Sequence, residues 1–143
     1  MKISIIIDKN HDEEIKIYAH ERSDLINQIE GLVLGYSTEI TAYKDKEIFR
    51  LNLSDIHCFI TENNRLFAIT DNDKLLLKLR LYNLEETLPI DFIKINKSCI
   101  ANVNKIERFN ALFSGTLQVK FKNGYTDYVS RRCIKTVKER LGL

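Results

Sequence analysis

Two places in this 143-residue chain set cations where an anion could bind. Arg131 and Arg132 directly follow an alternating apolar stretch and open what reads as the last helix. A helix start offers unpaired backbone N–H groups to a phosphate, and a planar guanidinium fork matches two acceptors of phosphate or of guanine. Adjacent arginines are also ordinary solvated side chains, so the pair alone decides nothing. The second place is "FIKINKSCIANVNKI", residues 92–106. There Asn96-Lys97-Ser98 separates apolar Phe92, Ile93 and Ile95 from Cys99, Ile100, Ala101 and Val103. Such an interruption lifts Lys97 out of the apolar pattern and raises the question of what its ammonium is offered to.

Other reactive residue types do not assemble into a site. His11, His20 and His57 have neither ligand nor triad spacing, and His57 stands inside an apolar stretch that suits a core position. No phosphate-cradling loop, nucleophile elbow, zinc-helix motif or dinucleotide fingerprint occurs. Asp12-Glu13-Glu14 reads as the solvated entry to a strand. Cys58, Cys99 and Cys133 lack paired spacing, and no apolar run suits an export signal or a membrane span. They read as reduced thiols of a cytoplasmic protein. The expectation is a non-enzymatic chain with no cofactor and no metal.

Charge is distributed unevenly. Residues 1–40 carry four Lys and Arg against eight Asp and Glu, and residues 41–90 carry seven against eight. Residues 91–143 carry eleven against four, so a net +2 conceals a basic end of +7 and an acidic end of −4. Solvated surface lysine accounts for most positive charge in proteins, but an excess this concentrated favours a polyanionic partner, because each neutralised phosphate releases counterions.

The elements that must position these cations are mostly strands. "KISIII" and "EIKIYAH" (14–20) alternate as strands, and Ser23 caps a helix bearing Leu25, Ile26, Ile29, Leu32 and Val33, closed by Gly35. This acidic β-β-α segment, residues 1–36, is expected to be an appendage for dimerisation or regulation, with the main domain at 37–143. A hairpin turning at Lys44–Lys46 follows, then one turning at Glu62–Asn64, where asparagine tolerates left-handed backbone. "KLLLKLRLYNLEETLP" finishes a strand and enters a short helix on Leu81, Leu84 and Leu88 that Pro89 ends. Leu117, Val119 and Phe121 alternate into Asn123-Gly124, the pair that a two-residue type I′ turn favours. Ser130 is a plausible cap for the final helix, whose apolar face is Ile134, Val137 and Leu141. The chain reads as a compact, mainly β module with short helices. No pair of helices suits a helix-turn-helix.

Over residues 40–143 the chain strongly resembles the LytTR family of bacterial DNA-binding domains. The resemblance rests on the leucine-bearing "LYNLEETL" and on a core matched by Phe92, Lys94, Ile95, Lys97, Ser98, Ile100, Asn102 and Ile106. The small residues Ser114-Gly115, the "NG" hairpin and a closing motif matched by Ser130, Arg131, Lys135 and Leu141 complete it. It implies an elongated β-sheet fold that reads double-stranded DNA through loops, as a stand-alone regulator without a receiver domain. It further implies a homodimer on repeated half-sites and a small membrane protein as a regulatory partner. The contacts it implies are, in order, the loop Asn96-Lys97-Ser98, then Arg131 and Arg132, then the turn carrying Asn63, Asn64 and Arg65. Asn102 would hold backbone rather than touch DNA. A protein-interaction module working through its acidic end remains the alternative of a different class. An RNA reader is a third, which Tyr125 and Tyr128 alone do not support.

Overall fold

The computed structural model describes residues 2–34 and 38–142. Its first regular element is helix α1, Asp24–Leu34, which Ser23 caps by accepting the Ile26 N–H at its Oγ, 3.4 Å. The expected close at Gly35 and the expected boundary at 36/37 lie outside the described residues. The two strands expected before α1 do not form. Residues 2–20 hold no strand, and Ile3, Ile5, Ile6, Ile7 and Ile15 stand exposed on either side of a turn in which Asp8 Oδ1 accepts the Asn10 N–H. Alternation favours extended backbone, but a strand also needs a neighbour for its N–H and C=O groups, and a lone hairpin has little to hold it.

From Glu39 onward the chain is antiparallel sheet. Strands β1 (Glu39–Lys44), β2 (Glu47–Asn52), β3 (Cys58–Glu62), β4 (Arg65–Ile69) and β5 (Lys74–Leu77) precede the short helix α2 (Leu81–Thr87). Then come β6 (Phe92–Asn96), β7 (Cys99–Asn102), β8 (Ile106–Ala111), β9 (Leu117–Phe121), β10 (Thr126–Val129) and helix α3 (Arg131–Leu141). Seven strands form one sheet in the order β2-β1-β5-β4-β3-β7-β6, and β10-β9-β8 form a second of three. No two α-helices are consecutive among the described residues, so a helix-turn-helix is absent from them.

Turn chemistry explains the registers. Asp45 and Lys46, with φ of 49° and 68°, and Asn63 and Asn64, with 50° and 61°, make two-residue left-handed turns that match strand twist. The "NG" hairpin differs from expectation. Only Gly124 is left-handed there, at φ 91°, while Gly124 N–H donates to Phe121 O at 2.9 Å and Phe121 N–H to Tyr125 O at 2.8 Å. This is a three-residue loop, a right-handed turn closed by a left-handed glycine. The Asn123 amide is drawn into a long-range bond, donating to Thr70 O at 3.0 Å, which favours the ordinary backbone region for that residue.

Strand alternation sends side chains to two cores. Cys58, Ile60, Ile69, Ile93 and Ile95 pack with Val119, Phe121 and Val129 of the small sheet and with Val137 of α3. On the opposite face Phe59, Leu66, Ala68, Leu77 and Ile100 pack beneath Leu84 of α2. His57 is buried, as its apolar setting predicts, and its Nε2 lies 2.6 Å from Asp71 Oδ1. That hydrogen bond holds the Asp71 carboxyl below its ordinary value of 3.8. Buried Asn102 donates to Ile56 O at 2.9 Å and accepts from the Asn104 N–H at 3.0 Å, so it fixes backbone as the resemblance implies.

Candidate nucleic-acid interface

A bulge in β6 explains the Asn-Lys-Ser interruption. Lys94 pairs with Ile100 but Asn96 with Cys99, so β6 carries one extra residue there. The bulge frees Ile95 O to accept the Ser130 N–H at 2.9 Å, which ties the end of β6 to the entrance of α3. Asn96 continues the link: its amide donates to Asp127 Oδ1 at 3.0 Å and to Tyr128 O at 2.8 Å. Its own Oδ1 accepts the Ser98 N–H at 2.8 Å. Lys97 is thereby held at the crest of a tight turn, exposed.

Neighbouring loops gather around it. Ser98 O accepts the Thr61 N–H at 2.8 Å, so the β6–β7 turn lies against the end of β3. The turn of Asn63 and Asn64 with exposed Arg65 begins two residues beyond Thr61. On the other side Arg131 Nη2 donates to Ser114 O at 2.9 Å, which draws in the tip of the β8–β9 hairpin. Hydrogen bonds thus join the segments around 61, 97, 114 and 131 into one linked series of loops, the rim. The hairpin tip was not among the expected contacts; only its small residues, Ser114-Gly115, marked it in the sequence.

The electrostatics of this rim follow from which charges are already paired. Glu62 is ion-paired with Lys74, whose ammonium also lies 4.6 Å from the Phe67 ring centroid. Asp127 accepts from both Asn96 and the Tyr128 N–H, the latter at 2.7 Å. These two acids are thus engaged, whereas Lys97, Arg65 and Arg132 are exposed cations, as is the bonded Arg131. Of the expected site residues, Arg131, Asn96 and Ser98 make bonds between loops, whereas Lys97, Arg65, Arg132, Asn63 and Asn64 are exposed; Arg131 is exposed as well as bonded. Ser130 stands at the cap position of α3, but its side chain makes no capping bond. Among the described residues no group of His, Cys, Asp and Glu could hold a metal ion. No helix among them is long and apolar enough to cross a membrane.

Asn96→Ala should be costly for a partly buried polar residue. It leaves Tyr128 O and Asp127 short of a donor, at about 1–3 kcal/mol, and releases the turn that carries Lys97. Urea denaturation is expected to report that loss of stability. An unchanged midpoint would mean that the turn is held by other bonds.

Antiparallel sheets whose linked loops expose cations, with Glu62 ion-paired and Asp127 hydrogen-bonded, suit a β-scaffolded polyanion-binding module. Residues 46–142 match the model of the LytTr DNA-binding domain, and the chain belongs to that family. The solved LytTr DNA-binding domain from Bacillus cereus superposes with a TM-score of 0.71, covering 75% of this chain and 99% of that one at 20% identity. It has the same fold. An uncharacterized HTH-type transcriptional regulator of Staphylococcus aureus strain COL is 40% identical, over 100% of this chain and 99% of its own. Its counterpart in another strain of that species is 39% identical over the same extents.

Proposed function

We propose that the chain is a cytoplasmic, sequence-specific transcriptional regulator that grips duplex DNA with this rim and binds repeated half-sites as a homodimer. The observation that supports the reading is the set of hydrogen bonds that links the loops bearing exposed Lys97, Arg65 and Arg132, with Glu62 and Asp127 on those loops already engaged. In this reading Lys97 and Arg65 hold phosphates and set the protein's register on the duplex. Arg132 reads a base edge, for which a guanidinium fork is suited. Asn63 and Asn64 present the edge of their turn to the backbone. Arg131, Asn96 and Ser98 position the loops.

The segment before Glu39 takes the dimer contact. Residues 2–7, which form no strand or helix, and the exposed Ile3, Ile5, Ile6, Ile7 and Ile15 fit pairing with a second copy better than contact with water. Its net charge of −3, four Lys and Arg against seven Asp and Glu over residues 1–38, makes it a poor surface for DNA. The Staphylococcus relatives match across this segment as well as the family domain, which supports its belonging to the working protein. Selection of bound duplexes from a random pool is expected to return a repeated motif. In sedimentation the full chain should run as a dimer, and a chain lacking residues 1–36 should dissociate yet still bind a half-site. Full dimerisation of the shortened chain would remove this role from the segment, and recovery of no motif would remove sequence specificity.

A further inference from the structure

The tip of the β8–β9 hairpin displays Phe113, at 112% relative exposure the most exposed of the large apolar side chains described. Single exposed apolar residues are common and need no explanation of their own. This one stands on a tip that is bonded throughout. Leu112 N–H donates to Thr116 O and Gly115 N–H to Leu112 O, both at 3.0 Å, and the Ser114 and Thr116 hydroxyls are 2.8 Å apart. Gly115, at φ 81°, supplies the left-handed residue that the reversal requires. Arg131 then clamps Ser114 O to the start of α3, beside Arg132. The hairpin therefore spends an arginine and a closed bonding pattern on holding out an aromatic ring that takes no part in either core.

We infer that Phe113 is an uncharged DNA contact that inserts beside Arg132 and partly unstacks a base step. The inference rests on the DNA reading proposed above and adds a groove contact to it. Phenylalanine is among the apolar side chains that enter a groove and kink a duplex, and flexible pyrimidine–purine steps yield to it at least cost. A contact of this kind releases no counterions, so it differs from Lys97 in its response to salt.

The test uses the full chain with the duplex it selects, 2-aminopurine being placed at successive steps. Wild type should brighten the probe at one step. Phe113→Ala should abolish that signal and weaken binding about tenfold with the salt slope unchanged. Phe113→Leu should retain most of both. Circular dichroism and sedimentation accompany each variant, since an exposed side chain should alter neither. Equal affinity and equal probe signal for wild type and Phe113→Ala would overturn the inference. So would a fall to monomer in Phe113→Ala, which would place the ring between two copies. Failure of wild type to bind any duplex is a separate outcome, seen before any variant is made, and it removes the DNA reading together with this contact.

Discussion

Affinity of the full chain for duplex DNA is expected to fall about a thousandfold between about 50 and 200 mM salt. In the proposed reading three exposed cations per protomer, Lys97, Arg65 and Arg132, meet the duplex. If each meets a phosphate or a nearby base, a dimer makes about six such contacts, and that number gives a loss of this size through counterion release. Pairing within the protein helps keep the charge available: Lys74 neutralises Glu62, and Asn96 with the Tyr128 N–H satisfies Asp127, so these two carboxylates are already engaged. Not all of the +7 end contributes. Lys94 is 2.8 Å from Glu85 on α2, and Lys120 is 3.7 Å from Glu107, so both are partly neutralised. Fluorescence anisotropy across a salt series measures the slope. Absence of binding at low salt to any pooled duplex would leave the basic end as solvated surface and return the choice to a protein-interaction module.

The local chemistry of the chain was legible wherever one segment contains its own explanation. Asp45-Lys46 and Asn63-Asn64 make the expected turns because the flanking strands bond directly to each other. α2 ends before Pro89 and α3 presents Val137 to the core because helical periodicity and proline act within a few residues. What lay beyond the sequence was pairing at a distance. "KISIII" has strand periodicity, yet alternation does not say which neighbour will accept its hydrogen bonds, and among the described residues it forms no strand. Asn123 was read from its neighbour Gly124, while the bond that decides its backbone runs to Thr70, far away in sequence. The candidate site shows the same division. Lys97 and the paired arginines stood out by type and spacing. The Asn96–Tyr128 and Arg131–Ser114 bonds, which distinguish side chains bonded between loops from those that are not, join segments that only the folded chain brings together.

That separation makes neighbouring arginines unequal, which yields the sharpest expected contrast. Arg132→Ala should cost about 1–3 kcal/mol on the selected duplex and far less on random DNA, because a bidentate contact to guanine discriminates between bases. Lys97→Ala should weaken both duplexes alike and make the salt slope shallower by about one unit, as loss of a phosphate contact does. Both side chains are exposed, so neither change should alter the circular dichroism spectrum. Arg131→Ala should behave differently again. Its guanidinium is already committed to Ser114 O, so its loss loosens the β8–β9 tip instead of removing a base contact. Affinity should then fall on the selected duplex with preference among bases at the Arg132 position retained. Arg132→Lys separates shape from charge: an ammonium keeps the charge and loses the fork, so non-specific affinity should survive while discrimination is lost. Isotherms for the four variants on selected and random duplexes provide the comparison. Loss of base preference in Arg131→Ala with none in Arg132→Ala would reverse the two roles. Indifference of both, singly and together, would move base reading away from the start of α3.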